Sequence, residues 1–324
     1  MAERGLGRGL GSVMELSEAV PDLSGFVTAE DPHALGDTGS AKAAVVWMVI
    51  GSVAFGTMNA MVKWTGDFDI GVPTVIMVRS AVIAGLAFAW ATANSRSLRI
   101  VDQRKMLLRC TTGLIAMFCY FYALQSIPIT QAVSLQYTAP LFVALLSGRV
   151  LKERVSPWVV ACVAISFVGV ALIISPRFGE IEPDALFALA SGFLAAMAYM
   201  FVRDLRSTDS PTGVVFWFAA FSAVISLPLA IRETVTLGVE EMVILIGVGL
   251  GAGLGQVGIT MAYQQAKAAW IAAFSYTTVL VASFFGWLFF DEILLIDDYI
   301  GALLIIGTGV ALILMTPQDT STES

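Results

Sequence analysis

The stretch CYFYALQSIPITQAVSLQYTAPLFVALLSGRVLKERV, Cys119–Val155, has a weaker copy later in the chain, MAYQQAKAAWIAAFSYTTVLVASFFGWLFFDEIL, Met261–Leu294. A slide of 139 positions sets Ala123 on Ala262, Gln125 on Gln264, Tyr137 on Tyr276, Thr138 on Thr277 and Glu153 on Glu292. A slide of 140 sets Lys63 on Arg203 and the string GVALII, 169–174, on GVALIL, 309–314. The chain is therefore built from two similar halves.

Each copy is too apolar for a soluble domain. Hydrophobic residues make up 57% of the 324 and charged residues 13%, where a soluble domain carries about 25% charged residues. The apolar residues are gathered into runs of roughly the twenty that cross a hydrocarbon core of about 30 Å. Read against breaks made by Pro, Gly and charge, they predict ten spans: 43–63, 73–93, 106–126, 129–148, 156–174, 185–203, 213–231, 240–262, 268–290 and 298–315. The fold class is all-α integral membrane protein, with ten transmembrane helices in two five-helix repeats. Five is odd, so the second repeat enters the membrane upside down, the inverted arrangement of many secondary transporters.

The domain limits follow: a disordered cytoplasmic tail at 1–41, a first repeat at 42–176, a second at 185–316 and a cytoplasmic tail at 317–324. The net charge of −7 reports largely on the tails. With the N-terminus inside, fourteen of the eighteen Lys and Arg residues, Arg109 and Arg203 among them, lie on the cytoplasmic side. Lys63, Arg177 and Arg232 lie outside and Arg79 within a span. That bias places both termini in the cytoplasm, and the expected location is the cell (inner) membrane.

The Cys119–Val155 stretch, with the Gly-containing helix after it that ends in GVALIIS, resembles the fourth-span signature of the EamA family in the drug/metabolite transporter superfamily, and Met261–Leu294 resembles it more weakly. The resemblance covers residues 42 to 316. It implies ten helices in two inverted repeats with a substrate cavity between them near mid-membrane, and a cargo such as an amino acid, nucleotide derivative or vitamin. The second half has Val279 where the first has Pro140, which predicts unequal bending of spans four and nine.

Polar groups inside apolar spans mark the candidate site, because an unsatisfied polar atom in hydrocarbon is expensive. Substrate-binding candidates are Arg79, Asn59, Gln136, Tyr137, Tyr199, Gln256 and Tyr276; Tyr137 and Tyr276 hold equivalent places in the two halves. Arg79 is read as the one cation embedded in a span, so the cargo is expected to be anionic or zwitterionic. Glu153 and Glu292, just past spans four and nine, are the gating candidates.

Other motifs lead nowhere. GLGQVG, Gly253–Gly258, matches the GxGxxG fingerprint by letter but lies in a membrane span, without the strand that the fingerprint needs. Gly247, Gly251 and Gly255, at four-residue spacing, instead form a face for close helix approach. The three cysteines lack metal-ligand spacing and the single histidine lies in the tail, so no metal or other cofactor is expected. With no P-loop, no hydrolase motif and no basic block for nucleic acid, the chain reads as a non-enzymatic secondary transporter. Its partners are a small-molecule substrate and the lipid bilayer, and it works as a monomer or homodimer. No span carries a central Asp or Glu, which favours a facilitator or exchanger. Two alternatives remain: a non-transporting receptor or assembly protein on the same fold, and a proton-coupled drug exporter.

Overall fold

The computed structural model describes residues 38–139, 141–143, 146, 157–174, 182–205, 208–265 and 274–315. The tail expected at 1–41 lies almost wholly outside them. Among the described residues the regular elements are all helical: α1 (Thr38–Asp67), α2 (Val72–Ala93), α3 (Gln103–Ser126), α4 (Ile129–Gln136), α5 (Pro157–Ile174), α6 (Pro183–Leu205), α7 (Pro211–Thr234), α8 (Val239–Gln265), a single 3₁₀ turn (Phe274–Tyr276), α9 (Thr277–Phe290) and α10 (Ile296–Met315).

Helices suit these sequences because hydrocarbon leaves the backbone no water to bond, and a helix satisfies its polar groups within the segment. Their starts are punctuated. Pro157, Pro183 and Pro211 open α5, α6 and α7, where a missing N–H costs nothing. Asp102 caps α3 by accepting from the Lys105 N–H at 3.0 Å, and Ser210 caps α7 by accepting from the Gly213 N–H at 3.1 Å. Six helices, α1, α2, α3, α6, α7 and α8, are long and apolar enough to cross a membrane, and the apolar parts of α5 and α9 are shorter. The protein is thus a multi-pass membrane protein.

The fourth expected span departs from a continuous helix. Helix α4 stops at Gln136, Tyr137 and Thr138 form a turn, and helix resumes at 139 and 141–143. Pro140 supplies the reason: its ring has no N–H to give and clashes with the carbonyl four residues back, that of Gln136.

The dominant contacts run between the halves: α1 with α8, α3 with α6, α2 with α7 and α5 with α10. Exchanging the halves maps α1–α8 onto α6–α3 and leaves the other two pairs unchanged, as halves related by a pseudo-two-fold require. The α1–α8 seam is tight. A Cβ on Gly258 would stand 2.7 Å from Gly51 N and Cα, one on Gly255 2.7 Å from the Phe55 ring, and one on Gly251 3.3 Å from Ala54 O. The glycine face thus meets α1 backbone to backbone.

Candidate functional site

The two tyrosines that the repeat aligns are in contact. Tyr137 closes α4, its N–H bonding Val133 O at 2.9 Å, and Tyr276 ends the 3₁₀ turn before α9. Their ring centroids are 5.3 Å apart at an interplanar angle of 51°. Helix α4 thus stops just before Tyr137, and Tyr276 immediately precedes α9.

Small residues hold the pair in place. The Tyr276 hydroxyl fills a notch at Gly309 of α10, where any Cβ would collide with it. A Cβ on Gly192 of α6 would stand 2.8 Å from Thr138 Oγ1 and 3.0 Å from Leu135 O, so this glycine admits the end of α4. There the Ser191 hydroxyl donates to Gln136 Oε1.

Asn59, 2% exposed on α1, lies beside Tyr120 of α3, which is within electrostatic reach of both Tyr137 and Tyr199. Arg79 projects from α2 against α3: its Nη1 is 3.1 Å from Met117 Sδ, and its Cζ is 5.7 Å from the centre of the Phe121 ring. Its Nε is buried with no hydrogen-bond partner among the described residues. The ion pairs there, Lys63–Glu292, Lys105–Asp102 and Lys105–Asp204, do not include it. A cation at such depth costs about 2.5 kcal/mol or more unless something repays it, and neither a thioether nor a ring neutralises the charge.

One end of the bundle carries a polar latch. Asp291 ends α9 in the left-handed region at φ 49°, and Glu292 N–H bonds Gly286 O at 3.1 Å, turning the Glu292 side chain back over Gly286. Its carboxylate meets Lys63 Nζ at 3.0 Å and accepts from the Ile129 N–H at 2.9 and 3.0 Å, capping α4. Lys63 also donates to Ile127 O at 2.9 Å. Alongside, Gln125 donates to Thr65 Oγ1 and Ile70 O, Gln131 donates to Asp298, and Glu233 accepts from the Gly71 N–H and the Thr74 hydroxyl. Near it, burial raises the Glu182 carboxyl above its usual range, with Asp298 and Asp184 adding to the shift.

Asn59, Gln136, Tyr137 and Tyr276 thus belong to one central cluster, flanked by Arg79 and the half-exposed Tyr199. Gln256 is exposed on α8, turned about 160° around the helix from Gly258. The gating candidate Glu153 lies outside the described residues. Sequence reading missed Tyr120, Lys63 and above all Arg109. Arg109 had been assigned to the cytoplasmic side, so that Arg79 stood as the only cation embedded in a span. In the structure its Cζ is 4.0 Å from the Phe218 ring centre and its Nε is buried without a partner among the described residues. The signal was available, since position 109 falls inside the predicted span 106–126.

The sequence matches the EamA-like transporter family over residues 42–175 and again over 183–315. It is 28% identical over 273 residues to the pseudopaline exporter CntI of Pseudomonas aeruginosa, spanning 84% of this chain and 96% of that one. A riboflavin transporter of Vibrio cholerae is 27% identical over 252 residues, 76% of this chain and 84% of its own. The S-adenosylmethionine uptake transporter of Rickettsia prowazekii is 22% identical over 285 residues, 86% and 95% of the two chains. A crystal structure 19% identical in sequence superposes with a TM-score of 0.53, covering 88% of this chain and 99% of its own, and shares the fold.

Proposed function

The chain belongs to the EamA-like transporter family, and from that premise we propose that it is a secondary carrier of a small anionic or zwitterionic metabolite, working by alternating access. On this reading the chain crosses the inner membrane ten times with both termini cytoplasmic, and its two inverted repeats, 42–176 and 185–316, rock around a site between them. The observation that carries the reading is the contact of Tyr137, where α4 stops, with Tyr276, at the start of α9, so that equivalent residues of the two halves meet. The break after Gln136 frees backbone groups for a ligand, and transporters place their substrates at interrupted helices of this kind. Asn59, Gln136 and Tyr199 supply further polar groups, Arg79 supplies the charge, and Glu292 with Lys63 forms the gate at the external end. The names of its relatives, which include a pseudopaline exporter, a riboflavin transporter and an S-adenosylmethionine uptake transporter, support a small organic cargo and leave its identity and direction open.

The test is solute flux in proteoliposomes of the purified full chain, loaded with candidate amino acids, organic acids, nucleotides and vitamins. Exchange of at least one labelled solute, lost when Tyr137 and Tyr276 are replaced together by Ala in a folded protein, supports the carrier. A reconstituted protein that binds a member of the panel but moves none would favour a receptor on the same fold.

A further inference from the structure

We infer that Arg109 forms a second anion-binding subsite beside that of Arg79, so that the cargo is a small organic dianion. The inference rests on the carrier reading above and names the class of its substrate.

An arginine near a helix end usually extends to the headgroups, and side chains on a helix lean toward its N-terminus. For Arg109, six residues into α3, both tendencies point out of the membrane. Its guanidinium does the opposite. It folds along α3 toward Gly113, one turn further in, where a Cβ would collide with Arg109 Nη1. Gly113 is therefore the residue that lets this cation turn inward. Phe218 of α7 lies against one face of the guanidinium at 4.0 Å, the Tyr199 side chain of α6 is within electrostatic reach, and Nε is buried with no hydrogen-bond partner among the described residues. No carboxylate among the described residues pairs with it.

Arg79 reaches the same stretch of α3 from the other side, at Met117. The levels of Gly113 and Met117 are one turn apart, ~6 Å along the axis. Two guanidinium groups, both partly desolvated and without a carboxylate partner among the described residues, thus flank one short segment of one helix. Each can be neutralised by an anion of its own, and guanidinium forks bind carboxylates in bidentate fashion. Two anionic groups about 4–8 Å apart, as in C4 to C6 dicarboxylates, match that one-turn spacing. The Tyr199 hydroxyl, on the half-exposed side of the cluster, is placed to donate to the group held by Arg109.

The experiment measures binding of succinate, glutarate and adipate, each against the monocarboxylate of equal length, by thermal shift and calorimetry on the purified full chain. Wild type is expected to bind at least one dicarboxylate 10-fold or more tighter than its monocarboxylate. Arg109→Gln should erase that preference while keeping monocarboxylate affinity, Arg109→Lys should restore part of it, and Tyr199→Phe, which removes only a hydroxyl, should reduce it. Arg79→Gln should weaken monocarboxylates and dicarboxylates alike. A dicarboxylate preference unchanged in Arg109→Gln and in Tyr199→Phe, with Arg79→Gln still damaging, would overturn the second subsite and leave the anion carrier standing. Binding of neither probe class by wild type would overturn both.

Discussion

The two repeats carry the same helices, yet they close differently. In the first, α3 leans on α1, joined by Gln125, which donates to Thr65 of α1 and to Ile70 just beyond it. In the second, among the described residues, the equivalent helices α6 and α8 scarcely touch. The paired seams also differ in chemistry. Helix α8 meets α1 through glycines at backbone distance, whereas α3 meets α6 through Met106, Cys110, Ala116, Ala195 and Leu205. Two copies of one topology can thus hold one seam of glycines at backbone distance and one of larger side chains.

The largest effect is expected where the glycine seam is tightest. Gly258→Ala sets a methyl 2.7 Å from the Gly51 backbone, which cannot yield as a side chain would. Overpacking of this kind costs about 1–3 kcal/mol or more, so folded yield and melting temperature should fall sharply. Gly251→Ala, at 3.3 Å, should be mild, and Gly253→Ala, facing only Leu86 Cδ1 at 3.5 Å, nearly silent. Equal melting temperatures for all three would show that the seam is not rigid.

Next is the latch that closes the first repeat against α9. Glu292→Gln leaves Lys63, with a side chain 16% exposed, without its carboxylate. Removing one partner of a buried pair costs about 3–5 kcal/mol, and partial exposure reduces that here to about 1–3 kcal/mol. The same variant should raise thiol labelling of a cysteine placed at Gln125, as the end opens. A Lys63→Met/Glu292→Gln pair more stable than Glu292→Gln alone would confirm the coupling, and additive losses would deny it.

The smallest effect concerns pH at the same end. Burial raises the Glu182 carboxyl above its usual range, with Asp298 and Asp184 contributing. The folded state therefore holds that proton more tightly than the unfolded one. The stabilisation is complete below the ordinary carboxyl pKa and is lost as pH rises through the raised value. Melting curves across pH 4–7 should show this decline in wild type and a flatter profile in Glu182→Gln. Identical profiles would mean that Glu182 is solvated.

How much of this could be read from the sequence depends on the distance over which each cause acts. The repeat and the matching of Tyr137 with Tyr276 were legible because the residues themselves recur. The interruption at Tyr137 was legible in Pro140, a local cause. Arg79 stood out as a cation deep in an apolar run. Arg109 did not, because three residues from the edge of a span a cation reads as part of the loop. Its inward turn depends on Gly113 and Phe218, and no periodicity reports a side-chain direction. Lys63 and Glu292 lie in opposite halves, so their pairing is a tertiary fact. Gln256 was chosen as a polar group in a span, and the face it occupies was fixed by the glycines that turn toward α1.

The central claim, that a buried cation on α2, lying against α3, receives an anionic substrate, is tested most directly at Arg79. The affinity of the strongest ligand found by thermal shift should be compared for wild type, Arg79→Gln and Arg79→Lys, alongside their melting temperatures without ligand. A substrate contact predicts a loss of 10-fold or more in Gln with the fold retained. Lys should recover only part of it, since an ammonium lacks the planar fork. Unchanged affinity in both variants, with a melting point lowered only in Gln, would contradict the claim and make Arg79 a structural anchor.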